Sequence, residues 1–328
     1  MCENKEQVLQ EIRAILNGTP LESFDVRKYE LSRILEENYE TVREDLDRYR
    51  ATENMLVRIC IGKKWAPKLD FDYDASRFVN FIYKVAWFPL GDIEPIGCVE
   101  KYEYVTVYDG RYFRGDTMNS WSTTLNEFVR KFGKEYVYGW KRRYIPDGYG
   151  SWEEFLSVPD NYIKEFPPYI TEFMRAVYTI GNFIPVPKDN FNTYRNRLCK
   201  DYWDLTLLAI YRHYEKNDRD NSDGWKNLLS QDGVKHWLDG YGSWDAFVEG
   251  NFLQDFVNQE GSYYGKPKEL WKGHFINPGL PKGEGQFEEF FTNAAAWITA
   301  RGEKIALALA DALGPTAEQE SNAEEGII

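Results

Sequence analysis

The chain has 328 residues, enough for two ordinary domains or one large one. Its 43% hydrophobic and 16% aromatic content can build a large core, which excludes disorder along the whole length. Net charge is −13, but residues 1–55 hold 13 acidic against 8 basic side chains and residues 314–328 hold 4 acidic and none basic, leaving the body only mildly acidic.

No run approaches the roughly 18 apolar residues of a membrane-spanning helix. The start, Met1-Cys2-Glu3-Asn4-Lys5-Glu6, lacks the apolar stretch of a signal peptide. Cys2, Cys60, Cys98 and Cys199 lie far apart with no C-x-x-C, which reads as reduced thiols and not as a disulfide framework or zinc site. The expectation is a cytoplasmic protein with no membrane contact and no assigned metal or cofactor.

Val8, Leu9, Ile12, Ile15 and Leu16 predict a helix over residues 5–16, stopped by Gly18-Thr19-Pro20. A second amphipathic helix is expected from about Val26 to Tyr49. Together they make a helical N-terminal segment over residues 1–55, which either packs on the body or serves as an arm for a protein partner. Between Leu56 and Gly115 the texture turns to strand. Tyr102–Tyr108, Asp109-Gly110 and Arg111–Arg114 spell a β-hairpin, because both turn residues tolerate positive φ. The hairpin leaves into Gly115-Asp116-Thr117-Met118-Asn119-Ser120, read either as caps for a helix over Thr124–Phe132 or as the lining of a ligand pocket.

Beyond Lys134 the chain reads as helical and aromatic. Asp147-Gly148-Tyr149-Gly150-Ser151-Trp152 recurs unchanged as Asp239–Trp244. At the same offset of 92, Gly181-Asn182-Phe183-Ile184 faces Gly273-His274-Phe275-Ile276, which raises a degenerate repeat over about 140–187 and 232–279. The unit itself is read as a tight turn with Ser as helix N-cap. Helices are expected over Leu198–Tyr214 and Phe287–Leu313, the latter facing inward through Phe290, Phe291, Ala294, Trp297, Ile298, Ile305 and Leu309. Residues 56–313 thus form one main domain, and 314–328 an acidic, disordered tail. The fold class expected is α+β, predominantly helical, with a small sheet near residues 56–115.

The chain has three histidines, His213, His236 and His274, and none lies in H-E-x-x-H. A P-loop, a G-x-G-x-x-G after a strand and a G-x-S-x-G are also missing, which counts against the corresponding enzyme classes. Two clusters mix cations with aromatic rings: Tyr138–Tyr144 and Asn192–Lys200, the latter with Arg195, Arg197 and Lys200. That texture suits single-stranded nucleic acid and equally an exposed helix edge, and the helix edge is the reading preferred.

Tyr202-Trp203-Asp204-Leu205-Thr206-Leu207 running into Arg212-His213-Tyr214, with Leu253-Gln254-Asp255 downstream, resembles an uncharacterised bacterial family, a domain of unknown function marked by D-L-T-L, R-H-Y and L-Q-D. The resemblance covers roughly residues 70–260 and implies no activity. Thr179–Pro187, with Gly181-Asn182-Phe183-Ile184-Pro185, is similar to the G-N-L-x-L-L-P stretch of His-Asn-His-like restriction nuclease domains. No histidine lies upstream of it, so the general base of that chemistry is missing.

Three functions follow as expectations. The first is a binding or regulatory module with one polar pocket for an anionic, nucleotide-like ligand, built from Asp116, Thr117, Asn119, Asn182, Arg212 and Gln254, with Asp204, His213 and Asp255 alongside. The second is a metal-dependent hydrolase or nuclease, in phage defence, with His213 as base and Asp204 and Asp255 as metal ligands or orienting groups. The third is a structural or partner protein acting through the N-terminal helices.

Overall fold

Asp109 and Gly110 take φ of 50° and 67°, the left-handed pair that a two-residue hairpin needs, and the flanking strands follow from them. In the computed structural model, which describes residues 5–29, 73–88, 97–100, 103–136, 166–188 and 191–314, the hairpin joins β2 (Glu103–Tyr108) to β3 (Arg111–Thr117) with Tyr108 opposite Arg111. β1 (Gly97–Glu100) pairs with β2, and β4 (Phe183–Pro187) pairs with β3, giving the order β1-β2-β3-β4, antiparallel throughout. β4 holds Pro185 and Pro187 two apart. Both direct their missing N–H away from β3, so the strand can sit only at an edge.

The helices are α1 (Lys5–Leu16), α2 (Arg77–Ala86), α3 (Trp121–Tyr136), α4 (Pro168–Ala176), α5 (Phe191–Cys199), α6 (Trp203–Tyr214), α7 (Asp223–Leu229), α8 (Asp232–Asp239), α9 (Trp244–Gly250) and α10 (Glu284–Leu313). A second hairpin pairs β5 (Val257–Glu260) with β6 (Tyr263–Pro267). The protein is α+β and predominantly helical. The sheet is not confined to residues 56–115, since β4 and the second hairpin come from far downstream.

Helix α10 is the axis of the core. Phe290, Phe291, Ala294, Ile298, Ile305 and Leu309 are buried as their spacing predicts. Val8, Ile12 and Leu16 of α1 belong to the same apolar core, and Arg13 donates to the carbonyls of Ala312 and Leu313 at the far end of α10. The apolar face of the first helix is therefore spent on the body.

Three expectations need correction. Residues 198–214 are not one helix: Lys200 and Asp201 take φ of 50° and 71° and separate α5 from α6, because Asp201 turns back to reach Arg195. Asp116 and Thr117 lie within β3, not in a capping loop. The two stretches offset by 92 do not fold alike where both are described, for α4 is a helix and the residues 92 further on contain β6. In the second copy of the six-residue unit Gly242 has φ of 72° and Ser243 Oγ accepts from Ala246 N, the turn and N-cap expected. The first copy, the Tyr138–Tyr144 cluster, the helix beyond Tyr29, residues 56–72 and the acidic tail beyond Gly314 lie outside the described residues.

Gly181 packs flush on α10. A Cβ there would stand 2.0 Å from Ile298 O and 2.7 Å from Gly302 N, both backbone atoms that have nowhere to go. Gly181→Ala is expected to cost about 3 kcal/mol or more, read as a lower urea midpoint with an unchanged slope.

Candidate functional site

Helix α5 looks polar, yet it buries Phe191, Arg195 and Cys199 four residues apart. Arg195 is fully buried, with Nη2 2.7 Å from Asp116 Oδ2 and 2.6 Å from Asp201 Oδ1. Its guanidinium lies 5.0 Å from the Trp203 ring centre, and Trp203 Nε1 donates to the same Asp116 oxygen at 3.0 Å. Burial works to lower the Arg195 pKa, but the charges of Asp116, Cys199 and Asp201 hold it above the ordinary arginine value. Two carboxylates around one cation make this a buried ionic network, in which Arg195 Nε has no partner among the described residues.

One residue further, Asp204 faces the other way from the first turn of α6. Its carboxylate accepts from Leu205 N at 2.9 Å, Leu270 N at 3.0 Å and His274 Nδ1 at 2.6 Å. His274 is fully buried, stacked on Trp271 with ring centres 3.6 Å apart and set against Tyr202 at 5.0 Å. Glu269 fixes the turn that carries it, accepting from Gly273 N and Phe275 N. With Nδ1–H given to Asp204, the other ring nitrogen is an acceptor in neutral imidazole and a donor in imidazolium. His274 Nε2 has no partner among the described residues.

Asn119 forms an antiparallel bridge with Tyr202. Its backbone N–H donates to Asn182 Oδ1 and its carbonyl accepts from Asn182 Nδ2, while Asn119 Nδ2 finds no partner among the described residues. Asn182, fully buried, also donates to Val177 O, so its amide is a backbone staple. Behind this turn Arg301 donates to Gly181 O, Phe183 O and Asn251 O at 2.7, 2.8 and 3.0 Å. Burial pulls Arg301 down to about 9, with the Tyr83 phenol working the other way.

The candidate residues therefore split. Asp116, Asn119, Asn182 and Asp204 gather around Tyr202–Asp204, and Thr117 Oγ1 donates to Asp74 Oδ2 at the edge of that group. Arg212 and His213 lie eight and nine residues along α6 from Asp204, about 12–14 Å away along the axis. Arg212 Nη1 holds Asp220 O there, in a half-exposed position. Asp255 pairs with Lys304 of α10, and Gln254 Oε1 is buried beside it without a partner among the described residues. The histidine that meets Asp204 is His274, not His213. Among the described residues no group of three or more His, Cys, Asp and Glu side chains could hold a metal ion.

Sequence reasoning missed Arg195, His274 and Arg301 as members of this constellation. Two of them had a signal. Arg301 interrupts the apolar stripe Ile298–Ile305 at a core position of α10, and a cation at such a position has to be held by polar groups. Arg195 likewise sits between two buried residues, four after Phe191 and four before Cys199. For His274 the only pointer was its alignment with Asn182 at the offset of 92.

Residues 152–305 match a family of unknown function, DUF6994. The match takes in just under half of the chain and includes Asn182, Arg195, Asp204, His274 and Arg301. Asp116, Thr117 and Asn119, which complete the arrangement from β3 and the segment after it, precede the DUF6994 region. No curated protein and no solved structure matches the chain. Among the described residues no helix is long and apolar enough to cross a membrane.

Two outcomes follow from these environments. Asp116→Asn leaves the Arg195 charge one carboxylate short and is expected to cost about 3 kcal/mol, whereas Asp116→Asn with Arg195→Met recovers part of that loss, measured as a double-mutant cycle in denaturant. Burial raises the phenol pKa of Tyr202, Tyr214 and Tyr241 above the usual 10.0. The folded state then holds those protons longer than the unfolded state. Stability from these groups is complete below pH 10 and is lost as pH rises from about 10 towards the raised values. Spectrophotometric titration should show this set ionising only with unfolding.

Proposed function

We propose that the chain is a binding module whose polar site lies at the first turn of α6, around Tyr202, Asp204, His274 and Asn119, and that it takes a planar, anionic, nucleotide-like ligand. The observation that carries this is the pair of buried polar atoms, His274 Nε2 and Asn119 Nδ2, which have no partner among the described residues and sit on residues next to one tyrosine. A buried polar atom without a partner costs about 1–3 kcal/mol, so a ligand group that reaches either of them is favoured to bind. A reducing, cytoplasmic setting suits the buried free Cys199, and a bacterial origin rests on the resemblance drawn from the α6 sequence.

Hydrolysis of such a ligand is a second reading, favoured by one feature: a carboxylate orients His274 as it would orient a general base. His274 Nε2 would take the proton of an attacking water. A partner-protein role for the N-terminal segment is less favoured, since Val8, Leu9, Ile12 and Leu16 of α1 are buried in the body.

The test is a thermal-shift screen of the full chain against nucleotides, nucleosides and their phosphate-free bases. His274→Asn runs beside it, because the asparagine amide can still donate to Asp204 but offers nothing at the Nε2 position. A nucleotide at about 100 times its dissociation constant should stabilise wild type by about 2.7 kcal/mol, and the variant should lose that shift while keeping its circular dichroism spectrum. A wild type indifferent to every nucleotide, or a variant that keeps the full shift, defeats the assignment. Release of phosphate or base from the bound nucleotide would favour the hydrolytic reading.

A further inference from the structure

The face of the sheet that receives α5 extends past the Arg195 network into open surface. On β3 the side chains of Tyr112, Arg114 and Asp116 share that face, by the alternation of a strand. Asp116 anchors α5 through Arg195, whereas Tyr112, nearer the hairpin, is 55% exposed. Lys188 continues from β4, donates its backbone N–H to Tyr112 O, and sets its ammonium 5.5 Å from the Tyr112 ring centre. On α5 the exposed side repeats the device: Tyr194 is 42% exposed, and the Arg197 guanidinium lies 5.7 Å from its ring centre.

Apart from Asp116, the charged side chains of β3 and α5 are all basic. Helix α5 contains no acidic residue, and the one acidic residue of β3, Asp116, is already matched by Arg195. Arg111 is exposed at the hairpin end of β3, next to an exposed Asp109 in the turn, and Lys200 is exposed directly after α5. A locally basic surface on a chain of net charge −13 is selective for a polyanion at short range, because the remaining acidic surface repels one elsewhere.

We infer that β3, Lys188 and α5 form a docking surface for single-stranded nucleic acid, with bases stacking on Tyr112 and Tyr194 and phosphates meeting Lys188 and Arg197. Two exposed rings, each already paired with a cation, suit a strand whose bases are free, and a duplex keeps its base faces covered. This surface is separate from the interior site around His274, and either can fail without the other.

The experiment is fluorescence anisotropy of the full chain with labelled oligo(dT) and oligo(rU) of about 20 nucleotides, a duplex of the same length and heparin as competitor, between about 50 and 200 mM salt. Tyr112→Ala and Tyr194→Ala should each weaken single-strand binding about tenfold and leave the salt dependence nearly unchanged. Lys188→Glu with Arg197→Glu should lower the slope of log affinity against log salt by about 0.7 for each lost phosphate contact. All four positions are exposed, and unchanged circular dichroism and thermal unfolding separate lost binding from lost fold. No single-strand binding at the lowest salt overturns the inference. So does binding insensitive to both tyrosines and equal for duplex and heparin, which would mark a general polyanion surface.

Discussion

The short turn Ile180–Asn182 is the point on which the rest of the structure is hung. It carries buried backbone carbonyls into the core at the place where β4 begins, and carbonyls there cannot be left without donors. Arg301 satisfies Gly181 O and Phe183 O from one side, and Met118 N meets Asn182 O from the other. The Asn182 side chain then ties both backbone groups of Asn119 to the end of α4. Through this one turn the sheet edge, the start of α3, α4 and the long helix α10 are held in register. Glycine at 181 is what lets the turn and α10 approach closely enough for Arg301 to reach.

Among the described residues, the buried arginines Arg195 and Arg301 solve different problems. Arg195 lies between two carboxylates and sets the angle at which α5 meets β3, with the left-handed residues Lys200 and Asp201 bending the chain so that Asp201 can close the pair. Its worth is in specifying one arrangement, since desolvation offsets most of the Coulombic gain. Arg301 instead gathers three carbonyls from two segments beside the Trp87 ring, 5.4 Å from its centre, and has Nη2 without a partner among the described residues. Its ligands are dipoles, which is why burial moves its proton affinity so far.

Between these anchors lies Tyr202-Trp203-Asp204, three consecutive residues that point into three polar environments. Tyr202 bonds the Thr124 hydroxyl, Trp203 joins the arginine network, and Asp204 orients His274. Because α6 starts here, its first turn is fixed from several directions. A ligand group entering beside Tyr202 would meet preorganised partners, which lowers the entropy cost of binding. The basic, aromatic face outside is built on the same α5–β3 contact, so the interior network also shapes the exposed surface.

Periodicity and turn chemistry determined a great deal from sequence alone. The α1 and α10 stripes, the Asp109-Gly110 hairpin, the Ser243 cap and the predominantly helical α+β class are all local patterns, because 3.6- and two-residue repeats and positive-φ turns are set within a few residues. The candidate site was legible in part. Asp116, Asn119, Asn182 and Asp204 are buried at or beside Tyr202–Asp204 in separate hydrogen-bonded environments, since buried polar residues in apolar runs must find partners, but the sequence does not say which partners. Arg212 and His213 looked like those partners because they share a helix with Asp204, yet a helix carries them away at 1.5 Å per residue. Only the tertiary structure decided that Asp204 meets His274 seventy residues later, that Arg195 closes on Asp116 from another element, and that Arg301 clamps the Ile180–Asn182 turn. Long-range pairing depends on how separate segments pack, and no local pattern encodes it.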